Sequence, residues 1–209
     1  MKNLFATFIL FVTSLLVNAQ ILINEYSAAN YDSFTDNYGE YEDWVELYNS
    51  SNTSVDINGW YLTDKPSNPT KWMVPSSVIV PANGFVIIYC SSRDEIVGGS
   101  IHSNFKITQT KDNEILMLSN ASGVFQDSIR VTPNQKGHSR GRETNGSSNW
   151  RVFTTASPNL SNTGAMQEYA NKPIFSQIGG YYNSPITISL SSPDPNCTIY
   201  YTTNGDEPN

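Results

Sequence analysis

The stretch DWVELYN, residues 43–49, indicates the fold class because its apolar and polar side chains alternate as they do in a β-strand. Successive side chains of an extended strand point to opposite faces, so Val45 and Leu47 share one face while Glu46 lies on the other. We predict a half-buried strand in which Val45 and Leu47 face the core and the polar groups face outward.

The two carboxylates of this stretch, Asp43 and Glu46, are candidates for an acid/base pair. General acid/base catalysis needs both groups within reach of one substrate, but residues three apart on a strand point to opposite sides. One strand therefore cannot aim both carboxylates at the same atom. We interpret the stretch as structural and not catalytic.

Short apolar or alternating runs of this kind recur along the chain, with turn residues such as Asn58-Gly59 between them. No window has apolar residues at helical spacing together with helix caps. The predicted strands lie at 21–23, 44–48, 60–62, 78–80, 85–90, 115–118 and 128–131. Many short strands at this spacing predict an all-β protein, an antiparallel β-sandwich.

The strand pattern lapses over residues 164–172, which we interpret as a linker, and it resumes at residue 173. Two further strands are predicted at 186–190 and 198–203. Residues 173–209 fall short of the ~40 residues that a domain usually needs to fold without outside support. We therefore expect this segment to be an incomplete second β-module.

Residues 1–19 have the form of a secretory signal peptide, with a positive Lys2, an apolar run over 4–17 and small residues before Gln20. We expect the mature chain to be secreted or held at the cell surface. The apolar run is shorter than the ~20 residues that cross a bilayer, and no later run is longer. No transmembrane segment is predicted.

The charge balance argues against a nucleic-acid partner. The formal net charge is -7 and the isoelectric point is about 4.7, whereas proteins that bind phosphate backbones concentrate Lys and Arg on one surface. Partners are expected instead among proteins or carbohydrates at the cell surface.

The cysteines and histidines give no pattern typical of a metal or disulfide site. Cys90 and Cys197 fall in different predicted domains, so we predict no disulfide, and Cys90 ends an apolar run where a buried free thiol is expected. His102 and His138 are far apart in the chain with no other ligand at zinc-site spacing. We predict that both are lone surface histidines and that the protein has no cofactor.

An acidic segment before Trp44 is the one candidate for a metal site. Calcium takes several oxygen ligands at close range, and the segment offers the carboxylates of Asp32, Asp36, Glu40 and Glu42. The ligand order of an EF-hand is absent. The alternative is an acidic loop solvated by water.

A dense set of aromatic residues lies within this segment and on both sides of it in the sequence. Core packing explains most of them, and those outside the core offer flat faces to sugars or to a protein partner. The set comprises Tyr26, Tyr31, Tyr38, Tyr41, Trp44, Tyr48, Tyr61 and Trp72.

The stretch GHSRG, residues 137–141, fits the G-x-S-x-G pattern of the α/β-hydrolase nucleophile elbow. That elbow requires a tight turn from a strand into a helix, with the serine exposed. Residues 142–148 have no helical periodicity, so we do not assign Ser139 as a nucleophile. No catalytic residue is predicted in the chain.

Several motifs, taken in their order along the chain, are similar to those of a known protein family. They are INEYSAANYDSF (23–34), EYEDWVELYNSSNTSVDINGWYLTD (40–64), KWMVP (71–75), VIVPANGFVIIY (78–89), NEILMLSNASGVFQDSI (113–129), GHSRGR (137–142) and SPNLSN (157–162). Together they resemble the bacterial lamin tail domain, which implies an immunoglobulin-like β-sandwich over residues 20–163. The segment beginning PIFSQIGG and containing IYYTTNGDEP, residues 173–209, resembles the start of a chitobiase/β-hexosaminidase C-terminal-like domain.

The lamin tail resemblance implies a set of positions that define the fold. Gly59 is expected to take a positive φ in the Asn58-Gly59 turn, and Trp60 and Leu62 to fill one face of the next strand. The full set is Asn24, Glu25, Trp44, Glu46, Leu47, Asn49, Gly59, Trp60 and Leu62.

The resemblance also implies a function. We expect an exported, non-catalytic pair of modules that binds a ligand or acts as a spacer. The alternative is the accessory N-terminal region of a larger secreted enzyme, either a CotH-type kinase-like protein or a hydrolase or nuclease, whose catalytic domain lies beyond residue 209. A structural role in the cell envelope is a third expectation.

Overall fold

The computed structural model describes residues 20–111, 113–206 and 208. The predicted signal peptide, residues 1–19, lies outside these ranges. The chain divides into two compact units, the first ending at Ala165 and the second beginning at Met166. The regular secondary structure of the described residues is all β-strand, and no helix among them is long and apolar enough to cross a membrane.

The strands of the first unit are short, as expected for a chain with frequent turn residues. They are β1 (Ile21–Ser27), β2 (Trp44–Asn49), β3 (Val55–Asp56), β4 (Tyr61–Thr63), β5 (Trp72–Met73), β6 (Ile79–Val80), β7 (Phe85–Tyr89), β8 (Glu95–Val97), β9 (Ser100–His102), β10 (Ile115–Ser119), β11 (Phe125–Arg130), β12 (Ser139–Arg142) and β13 (Trp150–Phe153).

Two sheets dominate the first unit. One has seven strands in the order β13-β12-β1-β2-β7-β9-β8, and the other has four in the order β11-β10-β4-β5, while β3 and β6 form a separate pair. The pairings described are antiparallel apart from β7 with β9. The core lies between the two sheets and includes Ile23, Val45, Leu47 and Ile88 from the larger and Leu62, Trp72, Leu116 and Leu118 from the smaller.

Strand β2 is buried on both faces, which corrects the prediction of a half-buried strand. Val45 and Leu47 face the main core as predicted, but Glu46 on the opposite face is also fully buried. The segment that follows β13 covers that face, because Ala156 packs on the cluster around Trp44 and the Asn159 amide binds Glu46. A period of two identifies the two faces of a strand, but it does not show that a distant segment covers the second face.

Strand β1 carries an irregularity at Asn24. Ile23 pairs with Leu47 and Glu25 pairs with Glu46, so Asn24 is an extra residue on β1. Pairing of β1 with β12 is described only for Glu25 and Tyr26, which leaves the backbone of Ile23 without a strand on that side. A β-bulge of this kind bends the strand and redirects the neighbouring side chains.

An ion pair takes the place of the missing strand beside Ile23. The Ile23 amide donates to Asp127 Oδ2 over 2.8 Å, and the Ile23 carbonyl accepts from Arg142 Nε over 2.7 Å. Arg142 Nη2 lies 2.7 Å from the same Asp127 oxygen. Because Asp127 lies on β11, the edge strand of the smaller sheet, and Arg142 lies on β12 of the larger sheet, this pair, hereafter the seam pair, joins the two sheets.

Most of the strands predicted for the first unit are confirmed in position, and Cys90 is a buried free thiol as predicted. The second unit differs from its prediction. Its strands are β14 (Ile174–Phe175) and β15 (Leu190–Ser191), which pair with each other. No strand is assigned at 198–203, and of 186–190 only Leu190 is in one. An alternating segment forms a strand only when a neighbouring strand accepts its backbone hydrogen bonds.

Candidate functional site

Two buried carboxyl groups lie next to each other at the centre of the larger sheet. The irregularity at Asn24 places Glu25 of β1 opposite Glu46 of β2, and both side chains are fully buried. Carboxylates are rarely buried unless they are paired or hydrogen-bonded. We call Glu25, Glu46 and the polar groups that bind them the carboxyl cluster.

Glu25 accepts three hydrogen bonds in this cluster. Ser139 Oγ donates over 2.5 Å, Ser157 Oγ over 2.6 Å and the Ser157 amide over 3.0 Å. Burial raises the pKa of Glu25 above its ordinary value, and the bonds from Ser139 and Ser157 oppose that shift.

Glu46 accepts from two donors. Asn24 Nδ2 lies 3.0 Å from its Oε1, and the Asn159 amide lies 2.7 Å from its Oε2. Burial raises the pKa of Glu46 to about 8, the nearby charge of Glu25 adds to the shift, and the bonds from Asn24 and Asn159 oppose it.

Asn162 completes the cluster from the segment that follows β13. Its Nδ2 donates to the Arg142 carbonyl over 2.6 Å, and its Oδ1 accepts from Asn24 Nδ2 over 3.0 Å. A Cβ on Gly141 would lie 2.9 Å from that Asn162 amide nitrogen and 3.1 Å from Glu25 Cγ. The cluster therefore fastens residues 157–162 across the larger sheet and requires a glycine on β12.

A second group of polar residues supports an exposed aromatic loop. The tyrosine loop, residues 28–43, joins β1 to β2 and carries three exposed rings: Tyr31 is 64%, Tyr38 48% and Tyr41 49% exposed. Exposed tyrosines gathered on one loop are a feature of contact surfaces, because the ring offers apolar area and the hydroxyl a hydrogen bond.

Asn30 is the centre of the hydrogen bonds within the tyrosine loop. Its Nδ2 donates to the carbonyls of Phe34 over 2.6 Å and Glu42 over 2.8 Å, and its Oδ1 accepts from Ser33 Oγ over 2.7 Å. The backbone amide of Asn30 donates to Asp43, over 3.0 Å. One buried amide side chain thus joins the two ends of the loop.

Asp43 is the second carboxylate of the stretch that introduced the fold. Burial raises the pKa of Asp43 to about 6, the Asn30 amide opposes the shift, and the charge of Glu42 adds to it. Asp43 and Glu46 bind different partners, Asn30 in one case and Asn24 with Asn159 in the other. They do not form an acid/base pair.

The middle of the loop is anchored on a buried histidine. His102 Nε2 lies 2.8 Å from Asn37 Oδ1, and His102 Nδ1 lies 2.9 Å from Ser91 Oγ. The imidazole also stacks on Tyr89 with ring centroids 5.2 Å apart. The prediction that His102 is a surface residue is therefore wrong, because the loop covers it.

The family assignment follows from comparison with known proteins. The lamin tail domain model matches residues 17–133, which is more than half of the chain and covers β1 to β11. The chain belongs to the lamin tail domain family. A search of curated proteins found no match.

The lamin tail domain is an immunoglobulin-like β-sandwich, so the predicted fold class is confirmed. The chitobiase/β-hexosaminidase C-terminal domain model matches residues 177–209, which confirms the second resemblance. The carboxyl cluster joins the matched part of the lamin tail domain to residues that lie after it, 139–162.

The residues that the lamin tail resemblance predicts to define the fold occupy several kinds of position. Asn24, Glu25 and Glu46 lie in the carboxyl cluster, whereas Leu47 and Leu62 lie in the main core and Trp44 in a smaller cluster with Ile87 and Tyr89. Asn49 donates to the carbonyls of Thr53 and Val80. Gly59 has φ +75°, and Trp60 is half-buried against the core.

The four calcium candidates do not share one site. Asp32 pairs with Lys136, Glu40 with Arg93 and Glu42 with Lys106, while Asp36 Oδ1 accepts the amides of Tyr38 and Glu40. Among the residues that the structure describes, no three or more His, Cys, Asp or Glu side chains come together as a metal site. Each carboxylate serves to hold the tyrosine loop.

Ser139 is not placed as a nucleophile elbow requires. It lies within strand β12 with its side chain fully buried, and its hydroxyl donates to Glu25. The oxygens of Glu25 and Glu46 likewise accept bonds from protein donors. The geometry around Ser139 supports a structural role and not acyl transfer.

Sequence reasoning assigned no role to Asn30, Ser157 or Asn162 and placed His102 on the surface, although each of the four holds the site together. Polar residues in loops are common, and their burial depends on partners up to 138 residues away, as for Asn24 and Asn162. The motif SPNLSN was the one available signal, since it contains both Ser157 and Asn162.

Proposed function

We propose that this chain is an exported, non-catalytic binding protein, and that the tyrosine loop is its contact surface for a carbohydrate or protein at the cell surface. The observation that carries the proposal is the exposure of Tyr31, Tyr38 and Tyr41 on a loop that is otherwise tightly fastened. A loop held in one conformation loses little conformational entropy when it binds, which favours affinity.

The three rings differ in what they offer a ligand. The guanidinium of Arg93 lies 4.4 Å from the centroid of the Tyr38 ring and occupies one face. The Tyr38 hydroxyl also donates to Glu95 over 2.8 Å. Tyr31 and Tyr41 are therefore the stronger candidates for direct ligand contact.

Carbohydrate is the ligand class to test first. Flat aromatic faces beside carboxylates and amides suit sugars, whose rings have apolar faces and hydroxyl edges. Residues 177–209 of the second unit match a domain model that is named after two carbohydrate-processing enzymes. A ligand of that class is consistent with both units.

The test compares the chain with Tyr31→Ala/Tyr41→Ala on a glycan array and in a pull-down from cell-surface extract. We expect binding by the unchanged chain and a loss of at least ~10-fold in the variant, since two aromatic contacts are removed. Phe125→Ala is the matched control, because Phe125 is 57% exposed on β11. Equal binding by all three proteins would place the contact elsewhere.

A second candidate is an accessory role within a larger secreted enzyme. The match of residues 177–209 to a domain named after two enzymes favours it. An antibody against the first unit, used on the native exported product, distinguishes the two roles by mass. A product much larger than 23.2 kDa supports the accessory role.

A further inference from the structure

A third group of charged side chains gathers at one end of the smaller sheet. Asp64 directly follows β4, Lys71 directly precedes β5 and Glu114 directly precedes β10. Strand β4 pairs with both β5 and β10, so the sheet brings these three residues to the same end of adjacent strands.

The closest contact in this group joins Lys71 and Asp64. Lys71 Nζ lies 2.6 Å from Asp64 Oδ1, and the Asp64 side chain is only 6% exposed. The same amine lies 4.9 Å from the centroid of the buried Phe105 ring. The pair therefore sits at the edge of the core, where a charged carboxylate is poorly solvated.

Glu114 is buried at the same end of this sheet with one oxygen unused. Its Oε2 accepts from the Thr108 amide over 2.9 Å, while its Oε1 is buried and has no hydrogen-bond partner in the described residues. Burial raises the pKa of Glu114, and the charges of Lys111, Asp64 and Lys71 also act on it. A buried carboxyl oxygen without a partner shows that this end of the sheet is a poor environment for carboxylate charge.

We propose that Lys71 and Asp64 form an intramolecular amide bond. A proton moves from the Lys71 ammonium directly to the Asp64 carboxylate that it contacts. The neutral amine attacks Asp64 Cγ, a C–N bond forms and a C–O bond breaks. The departing oxygen carries that first proton, takes up a second from the Lys71 nitrogen and leaves as water, so no oxidant, metal or other reactant is needed.

Proximity and burial both favour this reaction. The amine and the carboxyl are held in contact by a hairpin, which removes the entropic cost of bringing them together. The product is a neutral amide, so the poorly solvated ion pair disappears from the edge of the core. The amide closes the β4–β5 hairpin covalently.

The first measurement is the mass of the purified chain. We expect a mass lower by one water than the sequence requires, and a tryptic map in which cleavage after Lys71 is absent. Between Gln20 and Arg93 the tryptic sites are Lys65, which precedes Pro66, and Lys71, so the uncut peptide is easily recognised. The full sequence mass with normal cleavage after Lys71 would overturn the proposal.

Variants assign the roles. Lys71→Arg retains the positive charge beside Asp64 but should restore the full mass, because the variant lacks the amine that forms the amide. Lys111→Ala is the control, because Lys111 Nζ lies 3.9 Å from Asp64 Oδ2 and is expected to play no part. If Lys111→Ala restores the full mass while Lys71→Arg does not, the assignment of Lys71 is wrong.

Discussion

At the scale of single residues, the buried carboxyl groups make the stability of the first unit depend on pH. Burial raises the pKa of Glu46 from 4.5 to about 8, so the folded chain retains a proton that the unfolded chain releases. The contribution of Glu46 to stability is fully present below about pH 4.5 and is lost as the pH rises through about 8. Glu25 changes stability in the same direction, because its pKa is also raised.

Substitution Glu46→Gln tests this dependence. The glutamine cannot ionise, so we expect the free energy of unfolding to fall less steeply between about pH 5 and pH 8 than in the unchanged chain, by ~1 kcal/mol or more over that range. Urea unfolding at several pH values measures the slope. Glu143→Gln, at a half-exposed carboxylate, is the control and should keep the original slope; identical slopes for all three proteins would contradict the prediction.

Gly141 is the residue on which close packing of the carboxyl cluster depends. Substitution Gly141→Ala places a Cβ within 3.1 Å of both Glu25 Cγ and Phe153 Cε2. We expect a loss of ~1–3 kcal/mol in the free energy of unfolding, measured in urea, because the surroundings are tightly packed. Gly179→Ala is the control, since no atom lies within 4 Å of its added Cβ. Equal stability of the two variants would show that β12 can move away from the cluster.

At the scale of elements, the seam pair makes the backbone hydrogen bonds that a neighbouring strand would otherwise make. Asp127 and Arg142 satisfy both the amide and the carbonyl of Ile23 where β12 does not pair with β1. The side chains of both residues are largely buried. A buried ion pair with additional hydrogen bonds is costly to break because the remaining charge loses its partner.

Substitution Arg142→Ala is therefore expected to lower the free energy of unfolding by ~3–5 kcal/mol. Lys136→Ala is the matched control, since the pair of Lys136 with Asp32 is exposed and should change the free energy of unfolding far less. Urea unfolding measures both. A double variant with Asp127→Ala should lose less than the two single changes added together; strict additivity would show that the two side chains act separately.

The sequence was sufficient to predict the strands of the first unit because their periodicity and turns are local. Val45 and Leu47 are core residues as predicted, and Gly59 takes the positive φ that its turn requires. The burial of Glu46 and His102 could not be predicted, since residues 157–162 cover the first and the tyrosine loop covers the second. Such covering depends on tertiary contacts that no window of sequence contains.

At the scale of the whole molecule, the two units differ in how much they bury. Among the residues that the structure describes, the buried hydrophobic ones extend from Ile21 to Phe153, all within the first unit. In the second unit, Phe175, Ile178 and Tyr201 are exposed. The two-stranded sheet of β14 and β15 is too small to provide a core, and isolated two-stranded sheets are marginally stable.

A chain that ends at Ala165 should therefore melt within about 2 °C of the full chain, because the buried core remains intact. Circular dichroism at increasing temperature measures both transitions. Residues 166–209 alone should show no cooperative transition. A large fall in the melting temperature of the shorter chain would mean that the second unit stabilises the first.

The wide separation of the partners in the carboxyl cluster also determines when the molecule can fold. Asn24 cannot form its hydrogen bond with Asn162 until the ribosome has made that residue, which follows Asn24 by 138 residues. Glu25 likewise needs Ser157, which follows it by 132 residues. At ordinary rates of translation the N-terminal strand leaves the ribosome roughly ten seconds before those partners do. Until then Glu25 and Glu46 lack the donors that Ser157 and Asn159 provide. Such a delay would suit the export proposed above, because a translocation channel accepts an unfolded chain.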